Sequence, residues 1–466
     1  MIGATIALAL LLLVPVAAHL AVRRFLRMTP EPVNALAGEP APDGPGLTRF
    51  HGCYVLEREA LLEVGLSGTP ESIGFAHSRL LHSRMVQNEG AMLRRFEVEV
   101  RSWLARLLLV DLAKLRYRAV DRGMRPERRR EIAAGALGFQ PDPYAHLLPT
   151  YERLLYLNTL YDISLSFEHS PLVGCTTLAF HGEAYPEGGS LLARAFDMEI
   201  DPIFDRKKAV FLVKEDGRIP YASVAWPGLV GVVSGMNAAG VAVVVHGGRA
   251  GEPRTVGEPV VHALRSLLGL AQTTAQAVEL LQESAPLVSH ILVLSDASGD
   301  VRTVERVPGQ PPVARALPER AAVTNHFEGP ACTDARNRRV LAETSTRARR
   351  ERADELVARV GVADPATALE LLRDRSLAGG EALPLGDRRA IDALIATHGV
   401  IFDTRRKKLW VSEAPHLLGR FVEFDLERML GDDYTPTPEA LPALPHDALL
   451  DTPERLPREL RDAYAP

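Results

Sequence analysis

The sequence predicts an α+β fold in which two β-sheets are sandwiched between helical layers. Three observations carry this expectation. Short β-prone runs separated by turn residues begin at Gly174. Two helical stretches interrupt them before strands resume. The part of the chain before Gly174 repeats its leucines at helix spacing.

From Ser78 to Ile163 the pattern is helical, with Leu104, Leu107, Leu108, Leu112 and Leu115 recurring among Arg and Lys, then Tyr151, Leu154, Leu155 and Leu157. Strands are expected at 176–180, 190–198, 209–213, 221–225, 230–234 and 241–245, divided by turns such as Pro186-Glu187-Gly188-Gly189 and Glu215-Asp216-Gly217. Helices follow at 260–271 and 274–283, then strands at 291–294 and 301–307. A long charged helix is expected over 334–360. A hairpin then pairs 399–402 with 409–411 through the basic run at Arg405–Lys408. After Asp433 the residues Pro436, Pro438, Pro442, Pro445, Pro453 and Pro457 predict an extended or loosely docked tail.

Hydrophobic residues make up 46% and charged residues 24% of the 466, which excludes wholesale disorder. A formal net charge of −5 gives no general basic field for nucleic acid. The arginines at Arg128–Arg130 and Arg347–Arg352 read as solvated helix faces. Three cysteines, Cys53, Cys175 and Cys332, make neither a disulfide framework nor a metal cluster. Zinc-protease, Walker and dinucleotide-binding signatures do not occur, so neither metal nor cofactor is expected.

Ile2 to Val22 is apolar except for Thr5 and His19, and Arg23, Arg24 and Arg27 follow. That length predicts a transmembrane anchor or signal-like segment over residues 1–27, an uncleaved anchor being preferred, with the body on the cytoplasmic side by the positive-inside rule. Residues Thr29 to Gly46 read as a linker.

The chemistry centres on Cys175, directly after Gly174 at the start of a strand-like run. Glycine obstructs little, so the thiol can attack the preceding carbonyl and take the upstream chain as a thioester for water to release. The freed cysteine carries a thiol and an α-amine of reference pKa about 7.7–8.0, a nucleophile and its own base. Arg194 and Asp197 lie on what reads as the neighbouring strand. Asp197 is placed to orient the amine, and Arg194 to favour the thiolate and hold Asp197 ionised. Asn237 reads as a hairpin-turn residue. His246 ends an apolar strand, where its side chain lines the pocket and its N–H is an oxyanion donor; the Asn325 amide is a second. Any of Arg336, Arg338 and Arg339 is a candidate to contact Asp197 or a substrate carboxylate. Cleavage at Gly52–Cys53 is the weaker alternative, because the residues after Cys53 read as charged and helical.

In order and spacing these motifs resemble the acyl-coenzyme A:6-aminopenicillanate (isopenicillin N) acyltransferase-like family of self-processing N-terminal-nucleophile (Ntn) cysteine hydrolases, with choloylglycine hydrolases and acid ceramidase more distant. The matching pieces are Gly65 to Pro70 with Gly74, Leu157-Asn158 with Asp162, Gly174-Cys175-Thr176, Arg194-x-x-Asp197, Gly235-Met236-Asn237-x-x-Gly240, Thr324-Asn325-His326 and Thr333-x-x-Arg336. Ala195 stands where relatives commonly have Asn, His246 where many have Asn, and Thr333 where many have Ser.

The resemblance implies a four-layer αββα sandwich with a mainly helical N-terminal segment. It implies cleavage at Gly174/Cys175 and α- and β-fragments that remain associated. Cys175 is then the nucleophile, Arg194 and Asp197 its supporting pair, Asn325 an oxyanion donor, and Arg336 the preferred arginine. The chain divides into the anchor, a linker and helical pro-segment over 28–174, a catalytic β-fragment over 175–433, and the Pro-rich tail over 434–466. The expected activity is hydrolysis or transfer of the acyl group of a small linear amide. The rival reading, suggested by Ala195 and His246, is a membrane-tethered, non-catalytic binding module.

Overall fold

The strand-forming runs sort into two sheets. A computed structural model describes residues 14, 16–167 and 174–464. One sheet has eleven strands and the other seven. The smaller is built around Gly174–His181, Ser190–Asp197 and Ala396–Asp403, hydrogen-bonded side by side in antiparallel register.

Side chains on a strand alternate between faces, and here the alternation sorts residues into layers. Val210, Leu212, Val224 and Val244 of the larger sheet pack against Leu192, Val400, Phe402 and Val411 of the smaller. Their neighbours Phe211, Val243 and Val245 turn the other way, onto helices that carry Ile73, Ala133 and Leu264. Leu191, Ala193 and Ile401 turn from the smaller sheet onto Ala353, Leu356 and Leu369. The mixed α+β fold therefore runs helix, sheet, sheet, helix. Each fully buried Val, Leu, Ile or Phe in these interfaces contributes about 1.5–3 kcal/mol.

The segment before Gly174 holds strands as well as the expected helices. Leu47–Phe50, Cys53–Arg58 and Leu61–Gly68 form a meander. Leu61–Gly68 then pairs in parallel with Ala209–Glu215, so both parts of the chain share one sheet. The turn between the first two strands uses His51 at φ 46° and Gly52 at φ 76°. Cys53 thus opens a strand, and its sulfur lies 3.4 Å from the Ser67 backbone N, with no arginine beside it as at Cys175.

The basic clusters are solvated faces only in part. Arg128 is buried and bonds both Glu131 and Glu215. Arg265 reaches the same two carboxylates at 2.6 and 3.2 Å. This closed network joins the Pro126–Gly138 helix to the Ala209–Glu215 strand and the Val260–Leu270 helix, one element before Gly174 and two after. Arg349 and Arg352 are buried too. Their helix is not the single rod expected over 334–360: Ala335–Glu343 and Thr346–Ala358 are separated at Thr344 and Ser345. Hydroxyl side chains compete for backbone hydrogen bonds, and Thr344, Ser345 and Thr346 follow one another there. The tail is docked by short helical turns, with Leu456 and Leu460 buried against Leu394 and Leu418.

The membrane anchor, and the localisation read from it, are not supported. Among the described residues no helix is long and apolar enough to cross a membrane. Residues 16–25 are helical and rest on the body of the protein: His19 Nδ1 lies 2.9 Å from Asp111 Oδ1, and Arg23 donates to His146 O at 3.1 Å. The rest of the expected span, from Ile2 to Leu13 and Pro15, lies outside the described residues.

Removing one member of a buried ion network strands its partners, at a cost of about 3–5 kcal/mol. Arg265→Ala is therefore expected to lower unfolding stability by about that much, read from urea denaturation midpoints. A change below about 1 kcal/mol would show that the network contributes little to the junction.

Candidate active site

The register of two strands builds the centre of the site. Gly174 lies opposite Asp197, Cys175 opposite Phe196, and Thr177 opposite Arg194. Alternation puts Cys175 and Arg194 on the face toward the larger sheet, and Thr176 and Asp197 on the face toward the helices. Arg194 folds over the Phe196 ring, its Cζ 4.2 Å from the ring centroid, and its Nη2 comes 3.3 Å from Cys175 Sγ.

Arg194 is wholly buried and has no carboxylate partner among the described residues. Its other contacts are neutral: Val233 O at 3.3 Å, His398 Nε2 at 3.3 Å, Ser234 Oγ and Val245 O. Burying a charge without a counter-charge is costly, and the sulfur is the group beside it that can become an anion. Burial pushes the Cys175 thiol up, and Arg194 pulls it back down.

A second buried guanidinium covers the backbone of Cys175. Arg349 Nη1 donates to Cys175 O and, at 2.9 Å, to Thr176 Oγ1, while Nη2 donates to Asn325 Oδ1 at 2.9 Å. Asn325 Oδ1 also accepts from Cys175 N at 2.8 Å, and its Nδ2 donates to Gly247 O at 2.9 Å. An amide nitrogen has two hydrogens, so one remains for another acceptor. Thr346, at the break between the helices, accepts from Asn325 N at 2.8 Å and fixes this side chain's backbone.

Asp197 flanks the Gly174–Cys175 junction from the opposite face. A Cβ on Gly174 would stand 3.2 Å from Asp197 Cβ and 3.3 Å from its Oδ2, so a side chain there would press on the carboxylate. Burial pushes Asp197 up to about 7, with Arg349 pulling against it.

The structure thus brings together Gly174, Cys175, Arg194, Asp197 and Asn325. His246 is also close: its Nε2 lies 2.7 Å from Thr177 Oγ1, and burial keeps the imidazole neutral. Its backbone does not serve as expected. The Val245 carbonyl faces Cys175 Sγ and Arg194, and in a trans peptide the His246 N–H then points away. Asn237 does hold a turn: its Oδ1 accepts from Val241 N at 2.9 Å, and its Nδ2 anchors the turn to Leu268 O and Ala271 O.

Arg336 is not the arginine that covers Cys175. It caps Gly251 O at 2.7 Å and stands 4.0 Å from Glu252. Arg349 takes the position instead. The signal was present, because Thr346-x-x-Arg349 repeats the spacing of Thr333-x-x-Arg336 later in the chain. Sequence reasoning also missed His398, whose ring stacks on Phe196 with centroids 5.1 Å apart and whose Nε2 accepts from Arg194.

Beside this centre lies an apolar cavity of about 200 Å³. Phe196 and Val233, both tied to the Cys175–Arg194 pair, form part of its wall, with Tyr161, Met198, Trp226 and Leu229 around it.

Residues 185–383 match the family model described as acyl-coenzyme A:6-aminopenicillanic acid acyl-transferase. Over those residues the chain is similar to that acyl-transferase family. The matched segment contains Arg194, Asp197, Asn325 and Arg349, and begins downstream of Cys175. No curated protein matches the chain.

Among solved structures, similar chains include penicillin V acylase from Agrobacterium tumefaciens (20% identity, 56% of this chain and 89% of that one, TM-score 0.36). A mutant conjugated bile acid hydrolase from Clostridium perfringens is 11% identical, covering 57% of this chain and 97% of its own, with a TM-score of 0.36. An N-acylethanolamine-hydrolyzing acid amidase ortholog from Caenorhabditis elegans is 13% identical, covering 50% and 93%, with a TM-score of 0.34. Likenesses this low decide nothing about the chemistry of this chain.

Asp197 generates a pH prediction. Between the ordinary carboxyl pKa near 4 and about 7, the folded chain holds a proton that the unfolded chain has lost, so stability falls as pH rises through that window and then levels off. In Cys175→Ala protein, Asp197→Asn is expected to flatten the decline in melting temperature between about pH 5 and 7. Equal slopes with and without the substitution would refute the raised pKa.

Proposed function

We propose that the chain is a self-processing cysteine amidohydrolase or acyltransferase with Cys175 as nucleophile. The observation that carries this reading is the buried Arg194 guanidinium, without a carboxylate, 3.3 Å from Cys175 Sγ. It makes this thiol the natural counter-charge in the site.

The sulfur attacks the Gly174 carbonyl carbon, and its proton passes to the departing nitrogen. The C–N bond breaks as the acyl group moves to sulfur. Water then hydrolyses the thioester, leaving a Gly174 carboxylate and a Cys175 α-amine. Residues 1–174, with the linker and pro-segment over 28–174, become the α-fragment and 175–433 the catalytic part of the β-fragment, with the tail over 434–466 attached. The shared sheet and the Arg128–Glu131–Glu215–Arg265 network support their staying together.

With a substrate, the α-amine takes the thiol proton and the thiolate attacks the acyl carbonyl. Positive neighbours Arg194 and Arg349 favour the neutral amine, while Asp197 orients it. The unused Nδ2 hydrogen of Asn325 donates to the oxyanion. The amine leaves with the proton, and water or an acceptor amine takes the acyl group from sulfur. The substrate is a small-molecule acyl amide.

Intact mass and N-terminal sequencing test this directly. Purified protein is expected to give two fragments, the second starting at Cys175, and Cys175→Ala a single inactive chain. Full activity in an unprocessed wild-type chain would sink the proposal.

A further inference from the structure

The cavity beside Cys175 does not end blindly. Glu89, Met92, Leu157 and Leu160 line both it and a second, larger hollow of about 880 Å³. That hollow lies between the His82–Glu99, Trp103–Arg116 and Thr150–Leu157 helices, and Phe96, Trp103, Leu107 and Val110 form its apolar wall.

The Trp103–Arg116 helix is unusual for its lack of packing. Its fully buried side chains are Asp111 and Lys114, the latter pinned to Glu152 at 2.6 Å. Trp103, Leu107, Val110 and Ala113 recur at helix spacing along one face, yet that face borders the hollow rather than a core. An apolar face that no described residue covers forfeits the burial that normally holds such a helix down. The face is therefore built for an apolar occupant.

We propose that the occupant is the distal part of a long linear acyl chain, which makes long-chain acyl amides the substrate class. This rests on the Cys175 thioester reading and deepens it. The carbonyl sits at Cys175, the first methylenes fill the inner cavity, and the remainder passes the neck into the outer hollow. The inner cavity is much the smaller of the two, at about 200 Å³ against about 880 Å³, so longer chains need the second space. At the neck, Glu89 is held to one side by Arg153, itself tied to Asp142 at 2.8 Å. Met92, Leu157 and Leu160 leave an apolar path, with the flexible methionine adapting to what passes. Continuity with the cavity that Phe196 and Val233 wall beside the Cys175–Arg194 pair favours the acyl chain over a partner that docks from outside.

Two tryptophans report the two spaces: Trp226 lines the inner cavity and Trp103 the outer hollow. In Cys175→Ala protein, hexadecanoic acid brominated near its chain end is expected to quench Trp103 fluorescence, a signal lost in Trp103→Phe. Octanoic acid brominated at its end is expected to quench Trp226 but not Trp103. In turnover, with the amine held constant, Leu107→Trp is expected to lower the ratio of hexadecanoyl to hexanoyl kcat/KM by about tenfold or more, since several methylenes lose their burial.

The proposal is overturned if terminally brominated hexadecanoic acid leaves Trp103 unquenched. It is equally overturned if the ratio is unchanged in Leu107→Trp protein of parental melting temperature, or if rates follow the length of the amine rather than of the acyl group. Turnover persisting in Cys175→Ala would instead remove the thioester reading beneath it, and the quenching measurements, which need no turnover, would tell the two failures apart.

Discussion

Much of this site depends on one uncompensated charge. Arg194 is wholly buried, and its hydrogen bonds go to carbonyls, a hydroxyl, an imidazole and the Cys175 sulfur. A guanidinium does not give up its proton in a protein, so the cost of burying it cannot be escaped by neutralisation. The Phe196 ring face and the surrounding dipoles offset part of that cost. Placing a thiol that can ionise at 3.3 Å offsets more whenever the thiolate forms. The same arrangement explains the neutral histidines: His246 and His398 are pushed well below their ordinary pKa by burial, with Arg194 adding to it.

That charge can sit there because the fold is knitted across the Gly174–Cys175 junction. The meander before it extends the larger sheet built after it, through the parallel pairing of Leu61–Gly68 with Ala209–Glu215. The Arg128–Glu131–Glu215–Arg265 network locks a helix from one side to a strand and helix from the other. A break in the chain at the junction would leave these interactions in place, since none of them runs through residues 174 and 175. Catalytic geometry and chain continuity are thereby decoupled.

Sequence legibility follows interaction range. The Cys175 and Arg194 strands were readable because β-prone runs and turn residues are local signals. The hairpin of Ala396–Asp403 with Lys408–Ser412 was readable for the same reason. The strands at 47–68 were missed because charged residues such as Glu57, Arg58 and Glu59 interrupt their apolar pattern, and their pairing with Ala209–Glu215 is far away in sequence. Arg349 was missed because a run of arginines on a helix ordinarily faces water. Its burial follows from the break at Thr344–Ser345, which turns the second helix toward Asn325. Arg336 was preferred on spacing alone, and spacing could not distinguish two Thr-x-x-Arg runs in succession. The apolar start of the chain resembled a membrane span, but His19 and Arg23 spend their polar groups on Asp111 and His146.

The two faces of the Gly174–His181 strand divide the chemical labour. The thiol and Arg194 lie toward the larger sheet and the apolar cavity, while Asp197 and Arg349 lie toward the helices. The backbone nitrogen of Cys175 sits between them, 2.8 Å from Asn325 Oδ1. As a peptide N–H it has one hydrogen to give, and Asn325 takes it. As an α-amine it would have more, and Asp197, whose Oδ1 has no partner, is the acceptor left waiting beside Gly174. A buried carboxyl without a partner is a cost in the uncut chain. An amine N–H donating to that oxygen would offset the cost. On the proposed cleavage, the free α-amine would supply the partner that Asp197 Oδ1 lacks.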